Sequence, residues 1–394
     1  MMIWDPAGIR YSPVIEPFDD LPAHYVPELR SQPPWLMEDM VAAEPSLVAP
    51  ILGATDQAEA IAKLIARAAA EKMPIVVTGC GTSETAAMAI ADLLTDALRR
   101  RGVEHPVVHV RQALEASLEP WSGGVCLGIT HEGGTHATIL ALVAARAAGA
   151  TTAGITARRE SAVASVTDTL FVTPVVDRSW CHTVGYLSPI LAGAAIANAV
   201  DGSRADAAGL NSALREMLGQ AEDVRRLAES LFGVTRLMTV AAGADRSPAR
   251  ELALKIEEGV WLPARMLELE TVLHGHLAGA DDHTGMIVIA SDDRERLMAR
   301  TRMAIDAARR IGLRLGMIAT PPVAQKLAGA GVTTMILPES LGRYELLGRF
   351  AGAALALQQL TLALSRLAGR NPDQIRRQQE PYREAARVAE GSTW

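Results

Sequence analysis

Three charged residues near the middle of the chain have the types and spacing of an acid–base cluster. Glu251, Lys255 and Glu258 are separated by four and three residues, so a helix through them places all three on one face. A carboxylate poised by a neighbouring lysine can take a proton from a carbon next to a carbonyl and return it to the adjacent carbon. That is the chemistry of aldose–ketose isomerisation. The same spacing also describes an ordinary solvated helix face with an i,i+4 ion pair. His274 follows in Leu273-His274-Gly275-His276, a loop position after a leucine-containing helical stretch. It suits general acid–base work, as a side chain titrating near neutrality, and equally a histidine capping a helix C-terminus.

Two glycine-hydroxyl loops complete the candidate chemistry. Gly79-Cys80-Gly81-Thr82-Ser83 follows a β-branched run, and Thr130-His131-Glu132-Gly133-Gly134-Thr135 follows another. Each reads as strand, turn, helix, which aims backbone N–H groups and a helix dipole at the contents of the turn. Thr82 and Ser83 can also cap the helix that follows. Neighbouring loops of this kind face one crevice in an open α/β sheet. Glu132 is the oddity there. A carboxylate about 4 Å from a dianionic phosphate, at an effective dielectric of about 20, is repelled by about 8 kcal/mol before screening. Either Arg158, Arg159 or Arg178 offsets it, the site prefers a hydroxyl or an ammonium, or Glu132 points to solvent. His131, Glu132, His136 and His182 raise a metal reading, but their spacing matches no metal motif and no metal is expected.

These residues require a scaffold of alternating strands and helices. Strands are expected near 74–78, 106–110, 124–129, 151–156 and 168–173, with helices between them and a long one over 182–199. A polar helical connector spans 203–233. The alternation resumes with strands near 236–241, 286–290, 313–319 and 333–337 and helices near 248–261, 293–312 and 341–369. The chain is therefore read as an N-terminal arm over 1–34, a first domain over 35–202, the connector, a second domain over 234–370 and a charged tail over 371–394. Two helices broken near Gly53 precede the first strand. Both domains are α/β, with a parallel sheet covered by helices on both faces.

Composition bounds the partners. The 394 residues carry a net charge of −7, which argues against nucleic acid or an anionic membrane as the main partner. Hydrophobic residues make up 49% and charged residues 21%, which describes a folded chain. Cys80, Cys126 and Cys181 have no metal-type spacing and suggest a reducing, cytoplasmic setting. No leader peptide and no transmembrane span are expected, because the long apolar stretches read as amphipathic.

Gly79–Ser83, Thr130–Thr135 and Arg250–Glu258 together resemble the tandem sugar isomerase (SIS) family, in particular the isomerase half of glucosamine-6-phosphate synthases. The resemblance covers roughly 35–382. It implies two flavodoxin-like domains, a sugar-phosphate or amino-sugar ligand, no cofactor, and a homodimer whose active site is shared between subunits. Gly81, Thr82 and Ser83 match the family's first ligand loop, and Thr130, Gly133 and Thr135 its second. Glu258 falls on the proton-shuttling glutamate, Glu251 and Lys255 on its supporting pair, and His274 on a ring-opening histidine lent by the neighbouring subunit. His131 and Glu132 stand where the family has glutamine and serine, and His182 stands at a serine that touches the sugar. The family's tail lysine falls near Glu380. The resemblance includes no glutamine-hydrolysing domain, so ammonia from glutamine by that route is not expected. A non-catalytic sugar-binding regulator is the alternative from another class, and an unphosphorylated or cationic sugar the alternative ligand.

Overall fold

The computed structural model describes residues 30–390. Most of the arm expected over 1–34, and the last residues of the tail, lie outside the described residues. Helices α1 (Leu36–Leu52) and α2 (Thr55–Ala70) lead into the first sheet. That domain runs β1 (Ile75–Gly79), α3 (Thr82–Arg100), β2 (Val108–Gln112), α4 (Ala113–Leu118), β3 (Val125–Ile129), α5 (His136–Ala147), β4 (Thr151–Thr156), α6 (Ala162–Ser165), β5 (Thr169–Val172) and α7 (Val184–Asp201). Helices α8 (Ala207–Leu218) and α9 (Ala221–Leu231) connect it to the second domain. This runs β6 (Arg236–Ala241), α10 (Arg246–Lys255), β7 (Ala264–Glu268), α11 (Leu269–Val272), β8 (Thr284–Ala290), α12 (Glu295–Ile311), β9 (Arg314–Ala319), α13 (Pro321–Lys326), β10 (Thr333–Ile336) and α14 (Glu345–Leu367). A final helix, α15 (Glu380–Glu390), lies in the tail.

Both sheets are five-stranded and wholly parallel. The first has the order β2-β1-β3-β4-β5 and the second β7-β6-β8-β9-β10. Numbered within each domain these are the same 2-1-3-4-5 winding, the flavodoxin-like arrangement. The central strands β1, β3 and β8 are buried along their whole length, which fits their unbroken apolar runs.

The strand β7 has no counterpart in the sequence reading, where 248–261 was expected as helix and the next strand only near 286. Ala264-Arg265-Met266-Leu267-Glu268 lies at the edge of the second sheet and pairs only with β6. Its alternation of polar and apolar residues spans only five positions after Pro263, too little to stand out from a loop. The expected amphipathic character of the long helices also fails for α7. It is buried almost all round because α1, α2, α3 and α14 pack on it from several sides. Two segments, Val184–Asp201 and Glu339–Leu367, are long and apolar enough to span a bilayer. Of these windows 83% and 78% are buried inside the protein, which makes them core helices.

In the connector region α8 packs on both α1 and α14, and α9 on β9, β10 and α14. The tail clasps the first domain. The buried Asp373 carboxylate accepts the N–H groups of Leu36 and Met37, each at 2.8 Å, and so caps α1, while its carbonyl accepts the Trp180 N–H.

Candidate functional site

The first glycine loop folds as its composition requires. Gly81 sits at φ +55°, a conformation that glycine enters without strain, and α3 begins at the next residue. Ser83 is half-buried in the first turn of that helix, its N–H closing on the Cys80 carbonyl. The expected capping role of Thr82 is not seen. Its hydroxyl instead donates to Glu251 Oε1 at 3.1 Å and accepts from Lys255 Nζ at 3.0 Å. The loop therefore reaches across to the second domain, and the three-residue cluster lies where the two domains meet.

Helix α10 supplies that cluster from one face. Ser247, Glu251 and Lys255 recur at intervals of four. Ser247 donates to the Thr85 carbonyl at 2.8 Å and contacts the Tyr186 hydroxyl at 3.0 Å. Glu251 also accepts from the Thr85 hydroxyl at 2.5 Å. Lys255 Nζ lies 3.4 Å from Glu251 Oε1 and pairs with Glu258 Oε2. Glu258 is reached by a change of helix type. After Lys255 the chain makes one π turn over Ile256–Val260, ending at Trp261 with φ +58°. Arg370 steadies this end: it donates to the Val260 carbonyl at 2.9 Å and stacks over the Trp261 ring. Turns of this type frequently mark functional sites.

The environment excludes the solvated-face reading. Glu251 and Lys255 side chains are 0% exposed, whereas Glu258 keeps 20%. Burial pushes the Glu251 carboxyl above its ordinary range, and the Lys255 charge with the Thr85 and Thr82 hydroxyls opposes that rise. Burial would discharge Lys255, but two carboxylates outweigh it and hold the ammonium well above its ordinary value. The result is a fixed cation flanked by one sealed carboxylate and one reachable carboxylate.

The second loop lies at the end of the neighbouring strand. Thr130 donates to the Thr135 hydroxyl at 3.1 Å, and Gly133 turns at φ +76°. A Cβ on Gly133 would sit 2.1 Å from Ser161 Oγ, so only glycine allows that approach. Glu132 is half-buried and lies 3.7 Å from Arg158, one of the three arginines named as offsetting cations. His131 and His182 face each other with ring centroids 5.3 Å apart. Between them lies Asp177, which the sequence reading did not single out. Its buried carboxylate accepts the N–H groups of Ser179, Thr183 and Gly185 at 3.2, 2.6 and 3.1 Å.

His274 lies apart from this cluster within the chain. It is exposed on the segment after α11, its Nε2 2.9 Å from Glu270 Oε1. Among the described residues no group of three or more histidines, cysteines or acids is placed to hold a metal ion.

The second domain repeats the winding without repeating the site. At the ends of β6 and β8 stand Asp245 and Ser291-Asp292-Asp293. Asp245 is buried and accepts from the Ser291 N–H at 2.7 Å and hydroxyl at 2.5 Å. Asp292 is paired with Arg294 and Asp293 with Lys326.

Fold and site together define a two-domain parallel α/β protein with a buried glutamate–lysine cluster set against the first glycine-hydroxyl loop. No family model matches the chain. Over 233 residues it is 26% identical to the mouse and human proteins named glutamine–fructose-6-phosphate aminotransferase [isomerizing] 2, a match covering 56% of this chain and 33% of each relative. The match thus spans about a third of the length of those curated relatives. Among solved structures, the C-terminal domain of the glucosamine-fructose-6-phosphate aminotransferase of Francisella tularensis superposes with a TM-score of 0.73 at 17% identity, covering 88% of this chain and 100% of that one. The tagatose-6-phosphate ketose/aldose isomerase of Escherichia coli gives 0.71 at 19%, covering 89% and 97%. The glucosamine-6-phosphate deaminase of Thermotoga maritima gives 0.63 at 16%, covering 86% and 94%. The chain has the fold of these SIS-domain (sugar isomerase) structures, and its sequence is similar to the aminotransferases over part of their length.

Proposed function

We propose that this chain is an aldose–ketose isomerase, or an amino-sugar deaminase or deglycase, acting on a sugar phosphate or amino-sugar derivative through an enediol. The observation that carries the reading is the buried Glu251–Lys255–Glu258 cluster meeting the Thr82 and Thr85 hydroxyls across the domain boundary. Glu258 is the proton-transfer base: it is the only carboxylate of the three charged groups that solvent or substrate can reach. Lys255 pairs with it and carries a charge complementary to a developing enediolate. Glu251, held by two threonine hydroxyls, fixes the Lys255 ammonium between the two acids. A sensor that merely binds a sugar has no need to bury an ion triad at the cost of desolvating three charges.

Gly81, Thr82, Ser83, Thr130, His131, Glu132, Gly133, Thr135 and His182 line or support the substrate crevice in this reading. The Arg158 guanidinium beside Glu132 lowers the repulsion that Glu132 would otherwise exert on a phosphate. The substrate is a small sugar derivative, no cofactor enters the reaction, and His274 of a neighbouring subunit completes the site in a homodimer. The test is to incubate the protein with fructose 6-phosphate, tagatose 6-phosphate and glucosamine 6-phosphate and follow the sugars by NMR. Appearance of the isomeric or deaminated sugar supports the reading. No conversion of any of them, or of their unphosphorylated forms, overturns it.

A further inference from the structure

We propose that ring opening, the step the family resemblance gives to His274 of a neighbouring subunit, is instead carried out from within the same chain by an acid–base dyad of His182 and Asp177, His182 Nε2–H delivering a proton to the ring oxygen. The proposal rests on the sugar-isomerase reading above and adds a residue that acts before Glu258. Sugars of five or more carbons are mainly cyclic in water, so an enediol route needs a group that protonates the ring oxygen before any proton leaves carbon.

The geometry orients His182 for this. The residue sits between the end of β5 and the start of α7, immediately before the N-cap Thr183. Its Nδ1 is sealed from solvent, makes no hydrogen bond among the described residues and lies 3.8 Å from Asp177 Oδ2. Its side chain is still 27% exposed, and Nε2 is not among the sealed atoms. One ring nitrogen thus faces a buried carboxylate and the other is open. This is the division of labour in which a carboxylate orients an imidazole and stabilises its cationic form.

Asp177 is built to stay ionised. Burial opposes its charge, but His182, His131 and three backbone N–H groups overcome that and hold it at about 2. Gly185 lets this happen, because a Cβ there would lie 3.2 Å from the His182 side chain and 3.3 Å from the His131 ring. The two histidines are driven apart in role. His131 Nε2 accepts the Asp177 N–H at 2.8 Å, which requires that nitrogen to be unprotonated. Burial and the neighbouring His182 push His131 down to about 3. For His182 burial also favours the neutral form, but the contact with Asp177 outweighs it, so the imidazole titrates above its ordinary value.

The other charges that bear on His182 come from the elements packed around it. Lys255 disfavours its cation and Glu258 favours it, which places the dyad near the isomerisation cluster. Glu44 of α1 contributes through Asp177, but burial holds its carboxyl well above the usual range, with Gln358 donating to it at 2.9 Å. The adjacent Cys181 thiol is buried and pushed up.

The step balances without a co-reactant. His182 Nε2–H gives its proton to the ring oxygen as the bond from that oxygen to the anomeric carbon breaks. The anomeric hydroxyl loses its proton to a water molecule, its O–H electrons form the new carbonyl, and the water returns a proton to His182.

Ring opening is read directly as exchange between the two anomers of fructose 6-phosphate, measured by NMR alongside deuterium uptake from solvent. The wild-type protein should accelerate anomer exchange, and His182→Gln should lower that acceleration by about 10²-fold or more, the range for loss of a general acid. Asp177→Asn should move the pH at which exchange falls off downward, toward the ordinary histidine value. If Asp177→Asn does not fold, the His182→Gln result stands alone. Deuterium uptake with His182→Gln exchanging anomers at the wild-type rate overturns the dyad and leaves the isomerase reading intact. Anomer exchange that depends on His182 without deuterium uptake upholds the dyad and overturns that reading. A wild type that does not accelerate anomer exchange, or a larger loss in His274→Ala than in His182→Gln, overturns the dyad.

Discussion

Replacing Lys255 by methionine keeps the length of the side chain and removes the only positive charge between two carboxylates. The size of the effect follows from where those groups lie. Lys255 Nζ is 3.4 Å from Glu251 Oε1, and neither side chain is exposed. At an effective dielectric of about 20 this contact alone is worth about 5 kcal/mol in Coulomb energy. Part of that is offset by the desolvation that the lysine no longer undergoes. Removing one partner of a buried ion pair therefore costs about 3–5 kcal/mol, because the other is left charged and unpaired. The cost should depend on pH with a definite sign. Glu251 already titrates above its ordinary range because of burial, and the lysine is the main opposing influence. Without it the folded-state value rises further above the unfolded one. Stability of the variant should then be highest below the unfolded value and be lost as pH rises through the folded one. Urea unfolding followed by circular dichroism at about pH 5 and about pH 8 reads both points. Adding Glu251→Gln to Lys255→Met should recover part of the loss at the higher pH, since an amide can still meet the Thr82 and Thr85 hydroxyls. A Lys255→Met protein within about 1 kcal/mol of wild type at the higher pH, or a loss independent of pH, would refute the argument.

Further expectations concern charges at the two crevices. Glu132→Ser removes the acid 3.7 Å from Arg158 and leaves that cation facing the second loop, so calorimetric affinity for phosphorylated sugars should rise by about tenfold relative to unphosphorylated ones, on the order of one well-screened charge contact. Asp245 is pushed up to about 6 by burial, against the Ser291 hydrogen bonds, so its ionisation opposes folding as pH rises from its ordinary value through the folded one. Asp245→Asn should raise the melting temperature relative to wild type at about pH 8 and show little or no gain at about pH 4.

The architecture was readable because parallel strands buried on both faces leave unbroken β-branched runs, as in Ile75-Val76-Val77 and Met286-Ile287-Val288-Ile289. An edge strand carries no such mark. Ala264–Glu268 pairs on one side only, and its few apolar residues fell in the stretch between the helix ending near 261 and the strand near 286 that was given no element. The candidate cluster was legible for Glu251 and Lys255, whose spacing follows the α-helical repeat. That Glu258 meets Lys255 through a π turn was not, since nothing in Ile256-Glu257-Glu258-Gly259-Val260 distinguishes such a turn from an α turn. Thr85, Ser247 and Asp177 were missed because their importance is tertiary. Each is a polar residue of ordinary local context that becomes significant only when α10 packs on α3, or when α7 aims its N-terminus at the β5 end. Asp373 was hidden likewise in a stretch that reads as a charged tail, yet its carboxylate caps α1.

The central claim, that Glu258 moves a proton between adjacent carbons of an open-chain sugar, is tested most directly by hydrogen exchange at carbon. Fructose 6-phosphate is incubated in deuterium oxide with wild-type protein and with Glu258→Gln, and deuterium at C1 is followed by NMR. The wild type should incorporate deuterium at C1. Glu258→Gln, which keeps shape and polarity but cannot accept the proton, should do so about 10² to 10⁴ times more slowly, with calorimetric affinity for the sugar largely kept. Incorporation by Glu258→Gln at the wild-type rate would contradict the account.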